Sequence, residues 1–176
     1  PYDENIANTK EIVKIAHAMG IYVEAELGEV QKGEIGSGTT KKGHSLGRYT
    51  DPEQALNFAE ITDADALAIS FGNAHGIYRH APKLDFERIA RIKKLVKIPL
   101  VMHGGSGMSP EQYLDAIHNG IAKINYYTYM AKAGAEFLRK CFLEDKVFFF
   151  HEAAEFATKA MKENVKTALK IFMNKK

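Results

Sequence analysis

Apolar positions along this chain recur in two alternating rhythms. Ile6, Ile12, Val13, Ala16 and Met19 fall on one side of a helix over Asp3 to Met19. Ile21 to Glu26 is β-branched and aromatic with polar alternation and predicts a strand, which runs through Leu27-Gly28 into a Gly/Ser/Thr/Lys stretch ending at Tyr49. Thr50 and Glu53 have capping-box spacing and Pro52 suits a first turn, so a second helix is expected there, burying Ala55, Leu56, Phe58 and Ala59. The rhythm then repeats. Ala66 to Ser70 reads as a strand, Phe71 to Pro82 as a loop, and Asp85 opens a helix carrying Ile89, Ile92, Leu95 and Val96. A strand over Pro99 to Met102 precedes a capping box at Ser109-Pro110-Glu111-Gln112, and that helix stops near Gly120. A strand over Ile121 to Tyr126 and helices from Thr128 to about Cys141 and His151 to about Met173 complete the chain. Met161, Val165, Ala168, Leu169 and Phe172 form one face of the last helix, which is expected to be buried.

Short, nearly all-apolar strands alternating with helices predict a parallel sheet covered on both faces, either a doubly wound sheet or a (β/α)8 TIM barrel. A barrel takes about 250 residues. As a barrel, the 176-residue chain would hold roughly half, with two open strand edges.

Composition narrows the partners. Hydrophobic residues make up 45% and charged residues 26%, which suits one ordinary domain over residues 1–176. The net charge of +2 is nearly balanced and the lysines are spread over helical faces, so no nucleic-acid partner is expected. No apolar stretch approaches the roughly 20 residues that cross a bilayer, and no membrane partner is expected. Cys141 is the only cysteine, a structural thiol without a disulfide partner, which together with the absence of a signal-type segment points to a reducing cytoplasm. The chain begins at Pro1 rather than Met, and a missing natural start is expected.

In either parallel architecture chemistry gathers at the C-terminal ends of strands. Those ends carry Glu24 and Glu26, Asn73-Ala74-His75-Gly76, His103-Gly104-Gly105-Ser106-Gly107, and Asn125 to Thr128. A lone histidine more often bonds a loop backbone than a metal, but two on neighbouring strand ends, His75 and His103, suit a divalent ion such as zinc. Glu26 is the candidate third ligand. Gly104, Gly105 and Ser106, between a strand and a helix, suit a phosphate, and Asn125 to Thr128 opens the next helix as a second set of donors. The loop from Glu29 to Arg48 has the composition of a cover over a substrate, with Glu34 as a mobile acid or base.

Taken together, Val23-Glu24-Ala25-Glu26-Leu27-Gly28, Tyr49 to Ala55, Gly72-Asn73-Ala74-His75-Gly76, Pro82 to Phe86, His103 to Gly107 and Lys123-Ile124-Asn125 resemble class II fructose-bisphosphate and tagatose-bisphosphate aldolases. The resemblance runs from Pro1 to about Arg139. It implies a zinc-dependent (β/α)8 barrel of which this chain supplies strands five to eight plus C-terminal helices. It makes His75 and His103 two of three zinc histidines and Glu26 a glutamate that approaches the metal. Gly76, Gly104, Gly105, Ser106, Asn125, Tyr126, Tyr127 and Thr128 would hold the phosphate of dihydroxyacetone phosphate, with a monovalent cation beside that loop left open. Glu34 matches a loop glutamate that moves the enolisation proton, although Gln31-Lys32 replaces the usual Gly-Gly. The implied reaction is cleavage of a ketose 1,6-bisphosphate in carbohydrate metabolism, with zinc polarising the ketose oxygens.

The family's catalytic aspartate and first zinc histidine lie on an early strand that would precede Pro1. Tyr127 and Tyr129 replace small or acidic residues, leaving the sugar's configuration open. Two other readings stay open, a truncated phosphosugar-binding domain and another phosphosugar barrel enzyme such as an isomerase. Open sheet edges and the family's habits both point to a homodimer or homotetramer.

Overall fold

The computed structural model describes residues 1–32, 49–78 and 82–174. Six helices and six strands follow in the order α1 (Tyr2–Ala18), β1 (Glu24–Leu27), β2 (Gln31–Lys32), α2 (Pro52–Thr62), β3 (Ala66–Ile69), β4 (Ala74–His75), α3 (Phe86–Leu95), β5 (Leu100–Met102), α4 (Pro110–His118), β6 (Ile121–Ile124), α5 (Thr128–Leu143) and α6 (Phe150–Phe172). Strands β1, β3, β5 and β6 pair in that order, all parallel, into a four-stranded sheet. The order never reverses, so this sheet has no switch point of the doubly wound kind. The two-residue strands β2 and β4 pair separately, laying the start of the 29–48 loop beside His75.

The strands sort their side chains by parity. Ala25 and Leu27, Leu67 and Ile69, Leu100 and Met102, and Ile121 share one face and one core with Val13 of α1, Ala55 and Phe58 of α2, Ile89 and Ile92 of α3, and Tyr113 and Ala116 of α4. Complete burial of Phe58 alone contributes roughly 1.5–3 kcal/mol. Glu24 and Glu26 stand on the opposite face, in register with Ala66 and Ala68. The expectation of helices on both faces is therefore corrected: among the described residues one helical layer covers the sheet, and the other face carries carboxylates.

At α2 the cap lies one residue beyond the position that spacing predicts. Asp51, not Thr50, is the N-cap, its side chain accepting from the Gln54 N–H. Thr50 is instead buried, and its hydroxyl donates to the Leu27 carbonyl while accepting from the Ser70 N–H at 2.8 Å. It thus joins the ends of β1 and β3. The box at Ser109 and Gln112 forms as expected, and Asp85 caps α3 through the Arg88 N–H. Ile21 and Tyr22 precede the strand and are exposed. The apolar face of α6 is only partly covered: Ala168 is buried, but Leu169 is 48% exposed, and a groove of about 420 Å³ separates Val165, Ala168 and Phe172 from Ile121 and Ile124. Cys141 is buried and free, as a structural thiol should be. No helix among the described residues is long and apolar enough to cross a membrane.

Thr50→Val keeps the shape and removes both hydrogen bonds, leaving a buried N–H and carbonyl unpaired. Urea unfolding should show a loss of about 1–3 kcal/mol, whereas Thr50→Ser, which retains the hydroxyl, should lose clearly less.

Candidate metal centre and phosphate loops

Three loops and strand ends meet at the carboxylate face of the sheet. Glu26 points up from β1, His75 ends β4, and His103 follows β5 by one residue. One donor atom from each lies within 4.8 Å of the others. The imidazole rings of His75 and His103 are tilted, with centroids 6.1 Å apart. Two imidazole nitrogens and a carboxylate form the mixed donor set that zinc accepts, with a fourth position left for another ligand.

The approach of these two histidines depends on the backbone. Gly104 has φ +63°, and a Cβ there would lie 2.3 Å from the Ala74 carbonyl oxygen, so only glycine lets the two loops press together. Asn73, fully buried, then ties them: its amide donates to the His103 carbonyl at 2.8 Å and to the Ile69 carbonyl, and its Oδ1 accepts from the Phe71 N–H. The Tyr78 hydroxyl accepts from the Ala74 N–H at 2.7 Å and donates to the Gly104 carbonyl at 3.0 Å. Burial pushes that phenol up to about 12, so it stays a donor throughout the working pH range.

The histidines differ electrostatically. Partial desolvation lowers the pKa of His75 and outweighs the attraction of Glu26, a shift toward the neutral ring that a metal requires. His103 goes the other way. A hydrogen bond from Nδ1 to Glu26 raises its pKa most, burial opposes this, and Glu24, 2.9 Å from Nε2, adds to the rise. Burial disfavours the charge on Glu24, but hydrogen bonds from His103 and from Lys123 at 2.8 Å hold its carboxyl below the usual range.

The glycine loop and the Asn125 to Thr128 segment are cross-braced. The Gly105 N–H donates to the Asn125 carbonyl at 3.2 Å, the Asn125 N–H to the Met102 carbonyl, and the Tyr127 N–H to the Ser106 hydroxyl at 3.1 Å. These N–H groups are spent on the fold. Ser106 keeps its own hydroxyl proton, because in that bond it accepts. Tyr113 donates to the Gly105 carbonyl from inside the core. Tyr126 turns away from the loop and bonds Asn164, whereas Tyr127 is 68% exposed. Gly76, at φ +94°, is buried beside His75. Glu34 lies outside the described residues.

A family model for class II fructose-bisphosphate aldolase matches residues 1–176. The chain belongs to this family. Against the uncharacterized protein YdjI of Escherichia coli (strain K12), it is 41% identical over 172 residues, covering 97% of this chain and 59% of YdjI. The crystal structure of the YdjI aldolase superimposes with a TM-score of 0.79 at 38% identity, over 98% of this chain and 57% of that one. A putative fructose-1,6-biphosphate aldolase from Coccidioides immitis gives 0.85 at 30% identity, over 98% and 59%. The fructose-bisphosphate aldolase of Campylobacter jejuni, 22% identical with a TM-score of 0.74, shares the fold over 98% of this chain and 56% of its own. The chain thus spans under three-fifths of the length of these relatives.

The residues that support the donors leave weaker traces in the sequence than the donors themselves. Asn73 stands out only as part of a motif, and Tyr78 and Tyr113 do not stand out at all. A tyrosine rather than phenylalanine on the buried face of α4 is the available signal, since a buried phenol needs a partner.

In the metal-free class II aldolase chain, imidazole NMR should titrate His75 below and His103 above the ordinary 6.5. Because folding raises the pKa of His103, its ion pairs stabilise the fold fully below pH 6.5 and are lost as pH rises through the raised value. Denaturant midpoints of wild type and His103→Gln should therefore converge on the alkaline side. Gly104→Ala should separate the two loops, costing about 1–3 kcal/mol of stability and weakening zinc binding measured by chelator competition.

Proposed function

We propose that this chain carries the metal and phosphate half of a class II ketose-bisphosphate aldolase, built as strands five to eight of a (β/α)8 barrel with its C-terminal helices. The convergence of Glu26, His75 and His103 beside the glycine loop carries this reading. The sequential parallel sheet, its single helical layer and the aldolase relatives support the barrel.

In this reading Glu26, His75 and His103 hold zinc, which when bound supplies Lewis-acid polarisation of the substrate oxygens. Ser106, with the Gly104 to Gly107 loop, Gly76 and the Asn125 to Thr128 turn, binds the phosphate of the dihydroxyacetone phosphate moiety. The bracing between these two segments fixes that phosphate relative to His103, so the ketose is oriented from one end. Cleavage takes the C4 hydroxyl proton, breaks C3–C4 and leaves the electron pair on the triose phosphate, which then needs a proton. Glu34 is the family-matched carrier of that proton. The substrate is a fructose- or tagatose-type ketose 1,6-bisphosphate, with Tyr127 and Tyr129 at the positions that bear on its configuration. The remaining zinc histidine and the catalytic aspartate are assigned to polypeptide outside this sequence, and the working unit to a homodimer or homotetramer in the cytoplasm.

Lys123 argues for metal rather than Schiff-base chemistry. Its ammonium group is ion-paired with Glu24 and bonded to the Asn125 amide oxygen at 2.7 Å. A Schiff-base lysine must instead be freed of its proton.

Protein purified without chelator should contain stoichiometric zinc, and His103→Ala should lose it. Cleavage read by a triose-phosphate-coupled assay should then fall on the order of a thousandfold, since Lewis-acid assistance supplies several kcal/mol. Activity that persists in strong chelator would overturn the reading in favour of a metal-independent isomerase or related enzyme.

A further inference from the structure

Two residues that hold no place in the donor cluster surround the outer side of His103. The Nδ1 atom of its ring meets Glu26, a member of the cluster, while Nε2 lies 2.9 Å from Glu24 Oε1. The second oxygen of Glu24 accepts from Lys123 Nζ at 2.8 Å, and the same ammonium donates to Asn125 Oδ1 at 2.7 Å. We propose that Glu24 is a positioning residue that fixes the tautomer of His103, and that Lys123 holds Glu24 in place and links it to the phosphate segment. The proposal rests on the zinc reading given above.

A neutral imidazole carries one proton. If it sits on Nδ1, the nitrogen facing Glu26 has no lone pair to offer. Both ring nitrogens face carboxylates, but once a metal engages Glu26, Glu24 is the acceptor left to the ring, so the proton sits on Nε2 and Nδ1 is bare toward the cluster, which also makes the ring a stronger ligand. Glu24 would swing freely were only one oxygen engaged. Lys123 occupies the other, and its second bond ties the assembly to Asn125, so the orientation of the metal ligand and of the phosphate turn are set together.

The sheet is shaped for this reach. Glu24 stands in register with Ala66 and Glu26 with Ala68, so side chains of one carbon lie between the carboxylates and β5. Regular alternation from Ile121 would put Lys123 on the helix side with it. A bulge between the Leu100 and Val101 pairs skips Ala122 and sets Lys123 opposite Val101, on the carboxylate face. The Lys123 to Glu24 pair is too exposed to matter much for folding, at 54% and 26% of side-chain area. Its effect belongs to the site.

The test compares wild type with Glu24→Ala, Glu24→Gln, Lys123→Met and Lys123→Arg. Zinc affinity is measured by competition with a chromogenic chelator, tautomers by long-range proton–nitrogen NMR of the zinc-loaded protein, and stability by thermal unfolding of the metal-free protein. Glu24→Ala should weaken zinc roughly 10- to 100-fold and erase the hydrogen-bonded Nε2–H signature of His103, with little change in the unfolding midpoint on the alkaline side, where the ion pairs of His103 no longer contribute. Lys123→Met should give a smaller loss that Lys123→Arg restores. Should Glu24→Ala fail to fold, the isosteric Glu24→Gln takes its place, with zinc weakened several-fold. Wild-type affinity and an unchanged His103 signal in the Glu24 variants would overturn the role of Glu24, and wild-type behaviour of Lys123→Met that of the lysine. A wild-type protein that takes up no zinc would instead bring down the zinc reading itself, and this inference with it.

Discussion

Side chains on a strand alternate between faces, and in a parallel sheet residues in register share a face. Here that constraint separates the work of folding from the work of the site. Leu67, Ile69, Leu100 and Met102 are fully buried toward α1 to α4. The intervening positions Glu24, Glu26, Ala66, Ala68, Val101 and Lys123 face the other way, and His103 extends the same row past the end of β5. A slip of one residue in any strand would exchange the two sets, burying carboxylates under helices and turning leucines toward the site. The core therefore enforces the geometry of the donors. Its apolar contacts make the only register in which Glu26 and His103 can meet also the stable one.

Register alone does not bring His75 in, because His75 lies on a loop strand outside the main sheet. Three features do this together. Gly104 permits the contact, Asn73 bonds across it, and Tyr78 bridges the Ala74 N–H to the Gly104 carbonyl. Asn73 and Tyr78 satisfy backbone groups that a close approach of two loops would otherwise strand away from water. Buried amides and phenols of this kind set position more than they add stability, since their net hydrogen-bond energy is small while the penalty for leaving them unpaired is large.

Much of this is legible in the sequence, because strands and amphipathic helices announce themselves through periodicity and because chemistry in parallel folds sits at strand ends. His75, His103 and Glu26 emerge from that rule, and the motifs around them carry the resemblance to the family. Other features escape for definite physical reasons. Thr50 has the residue type and spacing of a helix cap, and only the approach of Leu27 to Ser70, far apart along the chain, makes it a cross-strand bridge. Continuous apolar runs hide the parity of β3 and β5, since Ala68 and Val101 are as apolar as their neighbours yet face the site side. The α6 stripe predicts a buried face, but burial depends on what lies opposite, and Leu169 meets a groove.

Lys123 shows the limit most sharply. Within Ile121-Ala122-Lys123-Ile124 a regular strand places the lysine beside Ile121 on the helix side, where an ammonium group would meet the core. The chain resolves the conflict with a single extra residue in β6, which costs part of the ladder and turns Lys123 toward Glu24 while Ile124 still packs inward. A bulge leaves no periodic trace in four residues. It is also the point at which a local departure from regular structure serves the site directly, because without it Glu24 would face His103 with one oxygen and solvent with the other. The irregularity in β6 and the orientation of a histidine at the end of the neighbouring strand are thus one structural fact, carried across the sheet by a carboxylate and an ammonium group.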